Sequence, residues 1–237
     1  MPGPLFLQSH VFFCRGKRHW VILDVNRDKY LCVDRHQLEA LGPSLKGWEE
    51  STSPGEADAA PVPEEAVALA DSLLDLDILS DHATHAKDAR PTAYPLPTEA
   101  IDPDSPVRSR RSSGAHAGPF FLSSARASRE LRRRRFQVIV EAVRARKSRR
   151  AGRPDFERTR SLVSVFERLR LFYPRSYLCL FDSLALIHFL ARFDVYPDWV
   201  FGVNADPFEA HCWLQAGNVV LNDTVTRVSG FTPIMVV

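Results

Sequence analysis

Cys179-Leu180-Phe181-Asp182-Ser183-Leu184-Ala185-Leu186-Ile187-His188-Phe189-Leu190, running on to Phe193, is apolar on nearly every side of a helical projection. A helix hydrophobic all round belongs inside a core, so this stretch predicts a buried helix with a domain built around it. Pro174-Arg175-Ser176 reads as the turn that ends the helix before it, in which Leu162, Val165, Phe166 and Leu169 recur at helical spacing. After the buried helix, residues 199–203, 211–215, 219–223 and 234–237 read as strands. Helices followed by an antiparallel sheet make an α+β domain over residues 119–237.

Further upstream, residues 126–150 hold eleven Lys or Arg against Glu130 and Glu141, and carry an apolar stripe of Leu131, Val138, Ile139, Ala142 and Val143. That is the pattern of one amphipathic helix with a solvated basic face. No nucleic-acid reader motif accompanies the charge, so a nucleic-acid partner is not expected. Residues 81–118 contain Pro91, Pro95, Pro97, Pro103 and Pro106 with Ser109, Ser112, Ser113, Gly114 and Gly118, and show no apolar period. Such a stretch reads as a flexible linker. Residues 49–104 hold fourteen acidic side chains against Lys87 and Arg90 alone.

Residues 1–80 read as a separate small domain whose patterned part starts at residue 9. Val11-Phe12-Phe13-Cys14, Trp20-Val21-Ile22-Leu23-Asp24-Val25 and Tyr30-Leu31-Cys32-Val33 are strand-like, and Asn26-Arg27-Asp28-Lys29 has hairpin-turn chemistry. Asp34 can cap a helix through Leu41 that Gly42-Pro43 stops. Pro63-Glu64-Glu65 opens a second helix with Val67, Ala70, Leu73 and Leu74 on one side, and the apolar pattern continues to Leu79.

The chain has 237 residues, 45% apolar and 25% charged, with a net charge of +2, which fits a soluble protein of one large or two small domains. No run approaches the roughly 18 apolar residues of a membrane span. The start lacks a basic n-region and a long apolar core, so a cytoplasmic location is expected. The four cysteines show no CxxC and no metal spacing, and His82 and His85 lack a third ligand nearby, so no metal is expected. Gly16-Lys17 lacks the rest of a phosphate loop.

Cys179 at the first turn of the buried helix is placed for a nucleophile. A helix N-terminus carries about half a positive charge and free N–H groups, which stabilise a thiolate and can receive an oxyanion. A cysteine merely packed at a helix start is the plain alternative. His211 and Asp223 lie on strands joined by Ala216-Gly217-Asn218. If Gln215 pairs with Val219, then Trp213 faces Leu221 and His211 faces Asp223 across the sheet, as a Cys-His-Asp triad requires. A core histidine bonded to a loop carboxylate fits the same spacing. Ser183 and His188 lie five apart on the helix and make a poor catalytic pair.

Tyr177-Leu178-Cys179-Leu180-Phe181-Asp182-Ser183-Leu184-Ala185-Leu186, then Phe201-Gly202-Val203, Phe208-Glu209-Ala210-His211-Cys212-Trp213-Leu214 and Leu221-Asn222-Asp223, resemble the lasso-peptide leader peptidases, transglutaminase-like cysteine proteases. The resemblance covers about residues 125–237, with Cys and His 32 apart and His and Asp 12 apart. It implies a papain-like fold for residues 119–237 and Cys179, His211 and Asp223 as catalytic residues. Cys212 stands where the family pattern leads one to expect Ala. Ile22-Leu23-Asp24-Val25, Lys29-Tyr30-Leu31-Cys32-Val33 and the helix from Ala68 to Leu74 are similar to the small winged-helix leader-recognition domain of peptide-modifying systems. That likeness implies that the leader adds as a strand near Tyr30, Leu31, Cys32 and Val33 and packs on Leu69 and Leu73. The activity implied is removal of the leader from a lasso-peptide precursor, with the freed core passing to an ATP-using macrolactam synthetase and with no cofactor in this chain. An acyl transferase and a non-catalytic leader-binding chaperone are the alternatives.

Overall fold

In a computed structural model of the chain, residues 4–16, 18–48, 63–101, 113–148, 155–174 and 176–237 are described. Lys17, the acidic residues 49–62, Asp102, Asp104, the linker residues Pro103, Pro106, Ser109 and Ser112, the basic pair Arg149 and Arg150, and Arg175 of the expected turn lie outside them. The chain divides into two units, Met1–Ala93 with Asn204–Glu209, and Tyr94–Val203 with Ala210–Val237.

The first unit is built on the strands expected from its β-branched and aromatic runs. Strands β2 (Val11–Arg15), β3 (His19–Asp24) and β4 (Lys29–Asp34) form an antiparallel sheet in that order, with Ile22 opposite both Phe13 and Leu31. Period-two alternation sends Val11, Phe13, Trp20, Ile22 and Val33 into one core, where the Trp20 and Trp48 rings lie 4.8 Å apart. The Asp34 carboxylate accepts the His36 N–H at 2.8 Å and so caps α1 (Arg35–Leu41), and Gly42-Pro43 turns the chain out of it through a short 3-10 turn. Helix α2 (Glu64–Asp75) starts after Pro63.

One expectation for this region is corrected. The apolar pattern past Asp75 is not helix: Asp77 adopts φ +55°, Ile78 is buried, and Leu79 enters a strand. Within the range 81–118 read as linker, residues 81–101 and 113–118 are described. Strands β1 (Phe6–Gln8), β5 (Leu79–Ser80) and β6 (Ala86–Lys87) form a second sheet in the order β5-β1-β6, and the buried Ala89 donates its N–H to the Lys46 carbonyl at 2.7 Å. Residues 94–101 join the second unit through β7 (Glu99–Ala100), and residues 113–118 are helical. Strands of two residues need backbone partners but no side-chain period, so a proline-rich composition conceals them.

In the second unit the basic stretch is two helices, α3 (Ser113–Arg133) and α4 (Phe136–Ser148), broken at Arg134-Arg135. The break re-phases the stripe. Val138 is 42% exposed while Ile139, Val140 and Val143 are buried, and Phe136 reaches Trp199 and Phe201. Helix α5 (Phe156–Arg170), capped by Asp155, and α3 pack on the apolar helix α6 (Cys179–Leu190). His188 of α6 bonds Glu130 of α3 at 2.8 Å, so its ring belongs to a buried polar contact between helices, and Ser183 is engaged elsewhere. Strands β8 (Asp198–Ala205), β9 (Phe208–Ala216), β10 (Val219–Val220) and β11 (Thr232–Val236) complete a five-stranded sheet in the order β11-β8-β9-β10-β7.

The β9–β10 register differs from expectation by one residue. Val219 pairs with Ala216 and Val220 with Gln215, across the two-residue turn Gly217-Asn218, where Gly217 takes φ +62°. A positive φ costs glycine little, which is why the tighter turn forms here. Among the described residues no helix is long and apolar enough to cross a membrane.

Candidate active site

The nucleophile position is fixed from behind. Arg170, in the last turn of α5 and 2% exposed, donates through Nε to Asp182 at 2.5 Å and through its other nitrogens to the Tyr173 and Ser176 carbonyls at 3.2 and 3.1 Å. Asp182 in turn accepts the Leu178 N–H at 2.8 Å, which closes the start of α6. This clamp places Cys179 as the first residue of the helix, where its N–H has no intrahelical acceptor. Nothing in the apolar pattern pointed to Arg170 or Asp182. The available signal was an acidic residue in the first turn of an otherwise apolar helix.

Strand β9 supplies His211, which is 5% exposed and packed against Trp213 and Phe231. Its Nε2 lies 2.5 Å from Asp223 Oδ2, which leaves Nδ1 for the hydrogen bond with Cys179. The three residues singled out from the sequence therefore meet, but not by cross-strand pairing. Past Val220 one backbone bond remains, from the Leu221 N–H to the Leu214 carbonyl at 2.9 Å, and the Asn222 side chain accepts the Leu214 N–H at 2.7 Å in place of the reciprocal bond. Asn222 also donates to Ser183 of α6 at 3.1 Å, and Asp223 accepts the Thr224 N–H at 2.7 Å. The carboxylate thus reaches the imidazole from a bend outside the sheet, and the one-residue register difference does not prevent the contact.

The electrostatics follow from these contacts. The Cys179 thiol is pushed down to about 4, first by a hydrogen bond from the Cys212 thiol, then by one from His211, with the Cys212 backbone N–H adding to both against the cost of burial. Burial works to lower the His211 value, but the Asp223 and Cys179 partners outweigh it and raise it to about 9. Burial opposes the charge on Asp223 as well, and hydrogen bonds from His211 and the Thr224 N–H hold its carboxyl below the ordinary range. Cys179 and His211 thus form a thiolate–imidazolium pair across the neutral range. Cys212, standing where the family pattern leads one to expect Ala, is a partner of Cys179 through both its side chain and its backbone N–H.

The pair opens into a cleft of about 160 Å³ bordered by Tyr177, Leu178 and Arg227, which adjoins a more apolar cavity of about 380 Å³ lined by Ala100, Ile101, Val163 and Leu221. Glu167, Asn222 and Asp223 line both, and burial raises the Glu167 carboxyl to about 7, with Asp182 adding to the rise and Arg170 opposing it. Among the described residues no group of three His, Cys, Asp or Glu is arranged to hold a metal ion.

The residues proposed for leader binding lie in the first unit. On β4, Tyr30 and Leu31 are partly exposed and Cys32 is exposed, and the strand stands at one end of the order β2-β3-β4. Leu69 of α2 is partly buried. Val33 and Leu73 are buried members of the core cluster, so their side chains are committed to the fold.

Residues 121–236 match the family described as the transglutaminase-like superfamily, and this part of the chain is a transglutaminase-like domain in a mixed α+β protein. The domain fits a cysteine protease or acyltransferase kind of function. No curated protein and no solved structure matches the chain.

Proposed function

We propose that the protein is a cytoplasmic cysteine peptidase that binds the leader of a lasso-peptide precursor and cleaves it off, delivering the core peptide to an ATP-using macrolactam synthetase. The observation that carries this reading is the thiolate–imidazolium pair of Cys179 and His211, held by Asp223 at the head of a buried helix. The motif resemblance around Cys179 and His211 supports the substrate class. The end strand β4, which bears Tyr30, Leu31 and Cys32, offers backbone for an added peptide strand, and Leu69 on α2 is the further apolar contact assigned to the leader.

In this mechanism the Cys179 thiolate attacks the scissile carbonyl carbon, and the Cys179 N–H at the helix start donates to the developing oxyanion. The tetrahedral adduct collapses as the C–N bond breaks and the His211 imidazolium gives its proton to the leaving amine. The neutral imidazole then takes a proton from water as the water attacks the thioester, and Cys179 leaves as thiolate. Asp223 holds the ring in one orientation throughout. Binding the leader on the first unit raises the local concentration of the scissile bond.

An acyl transferase with the same triad would hand the acyl group to an amine instead. Incubation of the full chain with a precursor peptide in ¹⁸O-labelled water, with a primary alkylamine present, separates the two. Hydrolysis predicts a released leader carrying one ¹⁸O in its new carboxylate. A leader ending in the alkylamide would overturn the peptidase reading, and binding without release would point to a chaperone.

A further inference from the structure

Cys212 is a second thiol in the catalytic centre. Its side chain is 3% exposed, whereas Cys179 is partly open to the cleft that both line. Ser183, one helical turn beyond Cys179 on α6, donates to the Cys212 carbonyl at 3.4 Å and lies 4.0 Å from the Cys212 sulfur. Cys212 is thereby laid against the same helix as the nucleophile, with whose side chain its own interacts at the head of the cleft that both line. The other two cysteines have no comparable partner. Cys14 on β2 and Cys32 on β4 both stand opposite Val21 of β3, which separates them by two strand spacings, roughly 10 Å. That is beyond the reach of a disulfide.

We propose that Cys179 and Cys212 form an oxidative modification site: a hydroperoxide oxidises Cys179, and Cys212 resolves the product to a disulfide. The Cys179 thiolate attacks the near peroxide oxygen, the O–O bond breaks, and the leaving alkoxide or hydroxide takes a proton, which leaves a sulfenic acid on Cys179. The Cys212 sulfur then attacks the Cys179 sulfur. The S–O bond breaks, and the departing hydroxide leaves as water with the Cys212 proton. The two thiols are oxidised by two electrons, and the hydroperoxide is reduced to an alcohol, or to water in the case of hydrogen peroxide, plus one water.

The electrostatics of Cys212 favour the second step. The Cys212 thiol is held well above its ordinary value by burial first, then by its hydrogen bond to Cys179 and by the Cys179 charge. Oxidation of Cys179 to a neutral sulfenic acid removes the last two of these, so the Cys212 thiol gives up its proton more easily than beside the thiolate, with burial still opposing its charge. The disulfide takes the nucleophile out of service reversibly and competes with its further oxidation to sulfinic acid, which is not restored by thiols. This inference rests on two free cysteines that line one cleft, with Cys212 tied to the nucleophile's helix through Ser183, and it holds whichever acyl chemistry the site performs.

The test uses the reduced full chain, treated with about a tenfold molar excess of hydrogen peroxide, because sulfinic acid formation consumes two peroxides per thiol, then blocked with N-ethylmaleimide and digested without reduction. The wild type is expected to become about 2 Da lighter, to yield a linked peptide pair containing Cys179 and Cys212, and to regain Cys179 alkylation after dithiothreitol. In Cys212→Ala and in Cys212→Ser, the fraction of Cys179 recovered by dithiothreitol should fall at least about tenfold as sulfinic acid accumulates. Two variants differing in polarity guard against a packing defect in one of them. Accumulation of sulfinic acid in the wild type at the rate of the variants, with no linked pair, would overturn the proposal, and that outcome would leave the peptidase reading untouched.

Discussion

With His211 replaced by alanine, hydrolysis of a peptide substrate should fall by roughly three to four orders of magnitude. The imidazolium is both the proton donor to the leaving amine and one of the two side-chain partners that hold Cys179 down at about 4. The same variant should change how Cys179 reacts with iodoacetamide as pH varies. In the wild type the alkylation rate should be nearly flat between about pH 5 and about pH 8, because the thiolate forms near 4 and His211 keeps its proton up to about 9. Without His211 the thiol titrates higher, and the rate should climb by up to tenfold per pH unit across part of that window. A low-pKa thiolate is intrinsically a weaker nucleophile, so the shape of the profile is the decisive readout rather than the rate at a single pH. An unchanged flat profile would mean that the ion pair does not govern Cys179.

The two shifts act on folding stability with opposite sign. The His211 value is raised from 6.5 to about 9, so its contribution is full below 6.5 and is lost as pH rises through 9. The Cys179 value is lowered from 9.0 to about 4, so its contribution is full above 9.0 and is lost as pH falls through 4.

The second large effect is expected at Asp182. Arg170 is 2% exposed and Asp182 bonds it at 2.5 Å. Removing one member of a buried ion pair typically costs about 3 to 5 kcal/mol, because the other charge stays buried without it. Arg170 keeps the Tyr173 and Ser176 carbonyls as acceptors, so Asp182→Ala should fall near the lower end, about 3 kcal/mol, by urea denaturation. It should also slow turnover, since the Leu178 N–H loses its acceptor at the residue just before the nucleophile. Asp182→Asn retains an oxygen for that N–H and should recover part of both losses. A change below about 1 kcal/mol would show that the clamp is a solvated surface contact.

Most of the framework was legible in the residues, for physical reasons that also mark where legibility ended. The helix from Cys179 declared itself because every face must be buried, and β2, β3 and β4 because β-branched and aromatic residues crowd into short runs. Asp34 and Gly42-Pro43 bracket α1 by local chemistry alone. The strands β1, β5, β6 and β7 are two or three residues long and rest on backbone hydrogen bonds, which composition does not record. The break at Arg134-Arg135 involves neither glycine nor proline. It follows from where Phe136 must reach, toward Trp199 and Phe201, which is a tertiary fact.

The triad shows the same division. Its residue types and spacing were readable, while the path of Asp223 to the imidazole runs through Asn222, whose side chain replaces a ladder bond. Cys212 looked like a small apolar substitute for alanine, and only the position of the α6 terminus makes its thiol a partner of Cys179. The side chains of Val33 and Leu73 were readable as apolar but not as inward-facing, because a single strand or helix does not say which of its apolar residues the core takes.

The most direct measurement is mass spectrometry of a lasso-peptide precursor incubated with the full chain, wild type beside Cys179→Ala. Release of an intact leader and core by the wild type, with none from the variant, is the expected result. Equal release by Cys179→Ala would contradict the assignment of the nucleophile, and no release by the wild type, even with the macrolactam synthetase and ATP added, would contradict the peptidase itself.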